Sequence, residues 1–492
     1  MQYLSTRDSS LRVSAAEAIV MGLSRDGGLF LPESIPALTA ADLQYLAGCD
    51  YPHRAAWVMG QYLDSFTPDE LLDYARKAYG PEKFDTPAAA PVVTVDGKHI
   101  LELWHGPTCA FKDMALQMLP YLLTASLKKT GEHKTVCILV ATSGDTGKAA
   151  LEGFRDVPQS KILVFYPEHG VSEVQKLQMV TQEGGNVAVC AVEGNFDDAQ
   201  NGVKRIFSDE AMRRTLAGQG KILSSANSIN WGRVLPQLVY YISAYCDLLS
   251  AGKIVPGEQI NICVPTGNFG NILAAYYTKR MGLPVNRLIC ASNANNVLTD
   301  FLRTGVYDRN RPFHTTTSPS MDILISSNLE RLLYLLCGSD AEVRSYMDAL
   351  KQTGRYEVSP AIFRALGEIF DAGFCLDGQS SRAIGTLFDQ TGYLMDPHTA
   401  VGYAVLEDYR RRTGDAAPTV LASTASPFKF CHSVLQALGV NELRSGVEQI
   451  DQLSQVSGKA APLPLLRLKD KAVRFTRVTD KQDMERAVLE ML

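Results

Sequence analysis

The stretch Thr135-Val136-Cys137-Ile138-Leu139-Val140-Ala141-Thr142-Ser143-Gly144-Asp145-Thr146-Gly147-Lys148 decides the fold class. Its first half is an apolar run, rich in β-branched residues and without polar alternation, which reads as a strand buried on both faces. A glycine-bearing turn follows, and then a helix-period segment over Thr146–Phe154. The same unit recurs along the chain. Lys161–Tyr166, Asn186–Val192, Ile260–Val264 and Arg287–Ala291 read as strands; Val174–Glu183, Asp197–Asp209, Val234–Leu249 and Asn271–Met281 read as helices. Alternating buried strands and helices predict an α/β fold with mainly parallel sheets covered on both faces. Ligands in such folds bind beyond the carboxyl ends of the strands.

Outward from this core the pattern changes. Residues 1–95 mix helices (Ala15–Met21, Thr67–Tyr79) with a short strand (Leu29–Pro32) and read as a small α+β region. Downstream, Glu342–Gly354 and Pro360–Ala372 read as helices and Thr419–Ala422 as a last strand. The charged segment 451–492 reads as a peripheral tail. With 492 residues, 46% hydrophobic and 21% charged, the chain has the composition of a globular protein. Collagen, disordered and disulfide-scaffold classes are excluded. A net charge of -5 supplies no basic footprint for nucleic acid. The first residues lack a basic-then-apolar secretory pattern, and no uncharged apolar run has bilayer length. Ten cysteines without a Cys-x-x-Cys pair fit reduced thiols, hence a cytoplasmic location with no membrane partner.

Three loops carry the chemistry. His105-Gly106-Pro107-Thr108-Cys109-Ala110-Phe111-Lys112-Asp113-Met114 sets Lys112 among apolar neighbours, where desolvation favours the neutral amine needed for Schiff-base or base chemistry. Alone, such a lysine reads first as one reaching solvent at a helix start. Ala141–Lys148 offers hydroxyls and a helix N-terminus to an anion, or is an ordinary capped turn; Ala149 replaces the hydroxyl residue of a Walker loop. Pro265-Thr266-Gly267-Asn268-Phe269-Gly270-Asn271 can curl its N–H groups into a phosphate nest, or is a plain glycine turn. Histidine spacing suggests no metal site, and no Gly-x-Ser-x-Gly elbow occurs. His105, His169 and His398 read as hydrogen-bonding or surface residues.

A shielded lysine and a phosphate nest on an α/β scaffold suggest pyridoxal 5'-phosphate. The motifs Tyr3–Arg7, Asp26–Pro32, His105–Asp113, Ala141–Gly147, Gly194–Ala199, Asn227–Arg233, Gly267–Asn271 and Ser423–Pro427 occur in this order. By them the chain resembles the threonine synthases of the tryptophan-synthase-β-like family of pyridoxal-phosphate enzymes. The resemblance implies two three-layer α/β lobes around a cofactor cleft, within residues 96–450. The smaller lobe would cover roughly 115–230, and the body would be discontinuous because Lys112 and Thr424 must meet one cofactor. It implies Lys112 as the catalytic lysine and cofactor attachment point. Gly267, Asn268, Phe269, Gly270 and Asn271 would hold the cofactor phosphate, Thr424 would face the ring nitrogen, and Asp145 would lie at the cofactor. Thr142, Ser143, Asn230 and Arg233 would serve the substrate, with no metal.

The implied reaction converts O-phospho-L-homoserine and water to L-threonine and phosphate, by γ-elimination and then β-addition of water, in a monomer or homodimer. That makes the chain a carbon–oxygen lyase acting on phosphates, at the last step of threonine biosynthesis. A phospho-lyase or serine/threonine dehydratase giving an oxoacid and ammonia is the alternative, and a non-catalytic binding protein on the same fold is a second. Ser426 and Phe428 depart from the family pattern, which bears on substrate tuning. Cys109 reads as a packing thiol close to the site.

Overall fold

The structure, a computed structural model, describes residues 1–142, 144–169 and 171–492. In chain order its strands are β1 (Gln2–Ser5), β2 (Arg12–Ser14), β3 (Phe30–Pro32), β4 (Val92–Val95), β5 (Lys98–Glu102), β6 (Thr135–Ala141), β7 (Ser160–Pro167), β8 (Val187–Glu193), β9 (Lys221–Ser224), β10 (Ile260–Pro265), β11 (Val285–Ser292), β12 (Val306–Asp308), β13 (Arg355–Glu357), β14 (Phe370–Phe374), β15 (Thr419–Ser423) and β16 (Val478–Asp480). Two sheets form the body. The larger has the order β14-β11-β10-β15-β5-β4 and is parallel except for the antiparallel edge strand β4. The smaller, β16-β8-β7-β6-β9, is parallel throughout. Val, Ile and Leu fill both faces of the inner strands, as the unbroken apolar runs require.

The expected α/β architecture is therefore present, with differences at its margins. Strand β4 lies within the region expected to be separate, yet it pairs with β5 from Val92↔Leu101 to Val95↔Lys98 and closes the edge of the larger sheet. The segment Pro360–Ala372 holds a helix only to Ile369 and then becomes β14, paired with β11. Apolar residues that continue a helical period also suit a buried strand, so periodicity alone does not find the break.

The tail is the main correction. Residues 451–492 are not peripheral: β16 adds the edge strand beside β8, and the helix Met484–Met491 seals one face of the smaller sheet. Met484, Ala487 and Val488 are fully buried there. Their spacing is helical, but the intervening charges mask it in a composition reading.

The N-terminal region is bonded to the body by buried charge. Arg7 forms a two-pronged pair with Glu330, both bonds 2.8 Å, and Thr6 donates to the same carboxylate at 2.5 Å. Gly28 is required where it sits, since a Cβ would lie 2.2 Å from Ser5 Oγ. Arg331, without exposed surface, donates to Phe30 O at 2.8 Å and to Ile229 O at 2.6 Å. The helix Trp231–Ser250 runs buried between this region and the body, with the Tyr3 and Tyr62 rings 5.7 Å from Trp231. Among the described residues no helix is long and apolar enough to cross a membrane.

Because Met484 packs where Gly202 has no Cβ, Met484→Ala should cost about 2–5 kcal/mol in urea unfolding. A tail merely resting on the surface would lose less than about 0.5 kcal/mol.

Candidate active site

Lys112 and Thr424, far apart in sequence, are brought together by backbone pairing. Strands β5 and β15 run parallel from Val420↔His99 to Ser423↔Glu102. Beyond them the two loops stay joined: Ala110 bridges Ala425, Phe111 N donates to Thr424 O at 2.8 Å, and Ser426 N donates to Cys109 O at 3.0 Å. Cys109 turns this corner at φ 58°. The thiol is buried and pushed well up by desolvation, so it is a packing group. Asp113 holds the loop from within, accepting from Thr108 N at 2.8 Å and Thr108 Oγ1 at 2.7 Å. Burial raises its carboxyl to about 6 against those hydrogen bonds.

The cleft between the two sheets encloses about 850 Å³, the solvent at its open mouth included. Lys112 stands on its wall, with Nζ 4.9 Å from the Phe111 ring centre and 3.3 Å from Ser320 Oγ. Its amine is lowered to about 8, chiefly by desolvation. The Asp145 carboxylate, 3.7 Å away, pulls the other way, while the charges of Lys429 and Arg233 assist the lowering. This is the poised lysine expected from the sequence.

Gly267–Asn271 forms the opposite wall at the N-terminus of the helix Gly270–Met281, with Phe269 in the left-handed region at φ 62°. Its carbonyls turn outward: Gly267 O accepts from Ser326 Oγ at 2.8 Å, and Asn268 O accepts from Asn328 Nδ2 at 3.0 Å. The N–H groups of Asn268, Phe269 and Gly270 have no acceptor among the described residues. Gly267 must lack a side chain, because a Cβ would meet Ser320 O at 2.6 Å. Asn271 accepts from Tyr240 and Tyr241 hydroxyls, leaving its buried Nδ2 unpartnered. Free N–H groups at a helix N-terminus fit a phosphate.

Arg233, 2% exposed, lines the same cleft and binds Ala226 O, while its buried Nε has no partner. Desolvation lowers the guanidinium to about 10 without a carboxylate beside it. A buried cation with an open donor is suited to an anionic ligand. Thr424 also lines the cleft. Thr142 does too, with Oγ1 accepting from Gly144 N and Gly147 N at 2.9 Å each. It therefore shapes the turn, with its O–H left to donate. Ser143 lies outside the described residues.

One expected site residue stands elsewhere. Asn230 is the N-cap of the helix Trp231–Ser250: Oδ1 accepts from Gly232 N at 2.9 Å, and Nδ2 donates to Ile19 O and Ser225 O. Its polar atoms are all engaged by backbone, away from the cleft wall. Asp145 is 2% exposed and sets its Oδ2 3.7 Å from Lys112 Nζ, beside the amine expected to hold the cofactor. Its carboxyl is held far below the usual carboxylate range because Lys429 and Lys112 outweigh desolvation.

The sequence reading missed Ser320, Lys429 and the role of His398. His398 Nε2 accepts from Ser320 N at 3.2 Å, and Nδ1 donates to Asp396 Oδ1 at 2.8 Å, which fixes the ring and the Ser320 backbone beside it. Lys429 was legible: Phe428-Lys429-Phe430 shields a lysine as Ala110-Phe111-Lys112 does. Ser320 carries no such mark.

Residues 2–79 match the threonine synthase N terminus, 100–424 the pyridoxal-phosphate dependent enzyme family, and 399–488 the threonine synthase C-terminal family. The human protein named threonine synthase-like 1 is 41% identical over 90% of this chain, which spans 61% of that relative's length. Threonine synthase of Pseudomonas aeruginosa is 39% identical, covering 89% of this chain and 90% of its own. The crystal structure of pyridoxal-phosphate-bound threonine synthase from Brucella melitensis superposes with a TM-score of 0.87 at 37% identity, covering 100% of this chain and 99% of that one. The chain thus belongs to the threonine synthase family of pyridoxal-phosphate dependent enzymes.

Proposed function

We propose that the protein is a threonine synthase, converting O-phospho-L-homoserine and water to L-threonine and phosphate with pyridoxal phosphate as cofactor, as the last step of threonine biosynthesis. The observation that carries this reading is one cleft lined by a desolvated lysine, an open N–H nest and the buried guanidinium of Arg233. A cofactor phosphate and a substrate phosphate together need two anion sites. The relative from Pseudomonas aeruginosa, matched over nearly its whole length, supports the same activity.

The residues fit the cofactor. Lys112 would hold it covalently, the Gly267–Asn271 nest would bind its phosphate, and Thr424 would offer the ring nitrogen a neutral hydroxyl. When bound, pyridoxal phosphate supplies an electron sink that acidifies carbon next to the substrate amine. The protein's part is then proton transfer and charge stabilisation. A lysine amine near 8 changes protonation within reach of neutral pH, so Lys112 can take the Cα proton and deliver it again. Arg233, buried in the cleft wall without a carboxylate beside it, would stabilise charge on the departing phosphate. Water added at Cβ completes threonine.

Lys112→Ala should abolish both the absorbance band of protein-bound cofactor and phosphate release; an unchanged spectrum and rate would remove Lys112 from the reaction. Product identification with O-phospho-L-homoserine separates the readings: threonine and phosphate support the synthase, 2-oxobutyrate with phosphate and ammonia selects a phospho-lyase, and no turnover with no cofactor uptake leaves a binding protein.

Because the amine is lowered to about 8, it is mainly ammonium below that pH and free amine above it. Cofactor uptake by stripped protein should therefore accelerate with pH and reach half its maximum near pH 8 rather than at the ordinary lysine value. Arg233→Met should lower kcat/KM by about 10²-fold or more, while the bound-cofactor spectrum persists, as read by steady-state phosphate release.

A further inference from the structure

Behind Lys112 lies a buried ion pair to which the reaction above gives no task. Lys429 has no exposed surface, and its ammonium donates to Asp145 Oδ1 and to Thr108 O, each at 2.8 Å. Such pairs add little net stability over apolar packing, because desolvation offsets their attraction. Stability alone therefore gives weak reason for two charges here.

The geometry divides Asp145 into two ends. Oδ1 is fixed by Lys429 and by Gln175 Nε2 at 2.9 Å. Oδ2 faces Lys112 Nζ at 3.7 Å and accepts from Ser320 Oγ at 3.3 Å, while Ser320 Oγ itself accepts from Lys112 Nζ. Gly144, at φ 137°, lets Gln175 approach, since a Cβ there would lie 2.5 Å from its side chain. Other charged or titratable groups face the same row. Arg233 acts on Lys112, His398 on Asp145, and Asp113 and Cys109 lie near Lys429.

Burial disfavours an isolated ammonium–carboxylate pair, which can neutralise itself by moving one proton from Nζ to Oδ2, directly or across the Ser320 hydroxyl. The products are a neutral amine and a neutral carboxylic acid. A second buried cation on the far side of the carboxylate opposes that transfer, because it leaves Lys429 without its counter-charge.

We propose that Lys429 is a positioning residue for the proton chemistry of Lys112: by closing Asp145 into a permanent ion pair it stops that carboxylate from taking the proton Lys112 carries, and leaves Asp145 and Ser320 to aim the amine. This rests on the reading of Lys112 as the proton-transferring lysine, but it is testable without turnover.

The full chain, stripped of cofactor, is acylated with an amine reagent across pH, and modification of Lys112 is read by mass spectrometry. The wild-type midpoint is expected near 8. Lys429→Met should leave a fraction of the Lys112 amine reactive below pH 8 that no longer falls tenfold per pH unit, because a proton moved to Asp145 stays within the pair, and Lys429→Arg should restore the wild-type slope. A cation that acted only as a neighbour would on removal raise the midpoint and leave the slope below it unchanged, so a variant curve with the wild-type slope overturns the proposal. Lys429→Gln, which retains a donor for Thr108 O, gives the same test if the Met variant does not fold. In the holoenzyme, Lys429→Met should lower kcat about tenfold with little change in KM. Failure of the synthase reading would appear separately, in the products, with the acylation curves unaffected.

Discussion

The site depends on one backbone constraint: β5 and β15 must pair in register, and the pairing must continue through Ala110 and Ala425. A one-residue slip would turn every side chain of one strand to the other face. Lys112 and Thr424 would then no longer share a cleft. The register is secured from several directions. Ser423 accepts from Trp104 Nε1 and from Thr399 Oγ1 at 3.1 Å each, and Lys429 reaches back to Thr108 O. The positive φ of Cys109 is tolerated because the bridge on either side over-determines it.

A second chain of contacts links the N-terminal region to the nest. Arg331 binds Phe30 O and Asn328 Oδ1, and Asn328 holds Asn268 O with both its backbone and its side-chain N–H. The nest keeps its N–H groups inward because its carbonyls are held outward. The Tyr3–Arg7 and Gly28–Pro32 motifs thus mark the surface that braces the Gly267–Asn271 loop.

Much of this was legible in the sequence because the physics is local. Buried parallel strands show as unbroken apolar runs, and turns before helices show as glycines. The Ala141–Lys148 and Gly267–Asn271 loops were found in this way, as was the shielded Lys112. What failed was non-local. Asn230 has the look of a site residue, yet its amide caps a helix. Asp145 sits in a chemistry-bearing loop, but that it stands between two lysines from distant loops shows only in the fold. Ser320 matters only because of what the fold places beside it. The tail's edge strand is too short and too charged to declare itself before its partner β8 is known.

That edge strand bears on how the polypeptide matures. Synthesis runs from the N-terminus, so β6 to β9 emerge long before Val478–Asp480 can join them. Until then β8 presents an unpaired edge, and the apolar surface later covered by Met484 and Val488 stays open. Nascent chains with such edges are prone to pair with one another. These late-emerging residues therefore determine how long the smaller lobe remains in an adhesive state.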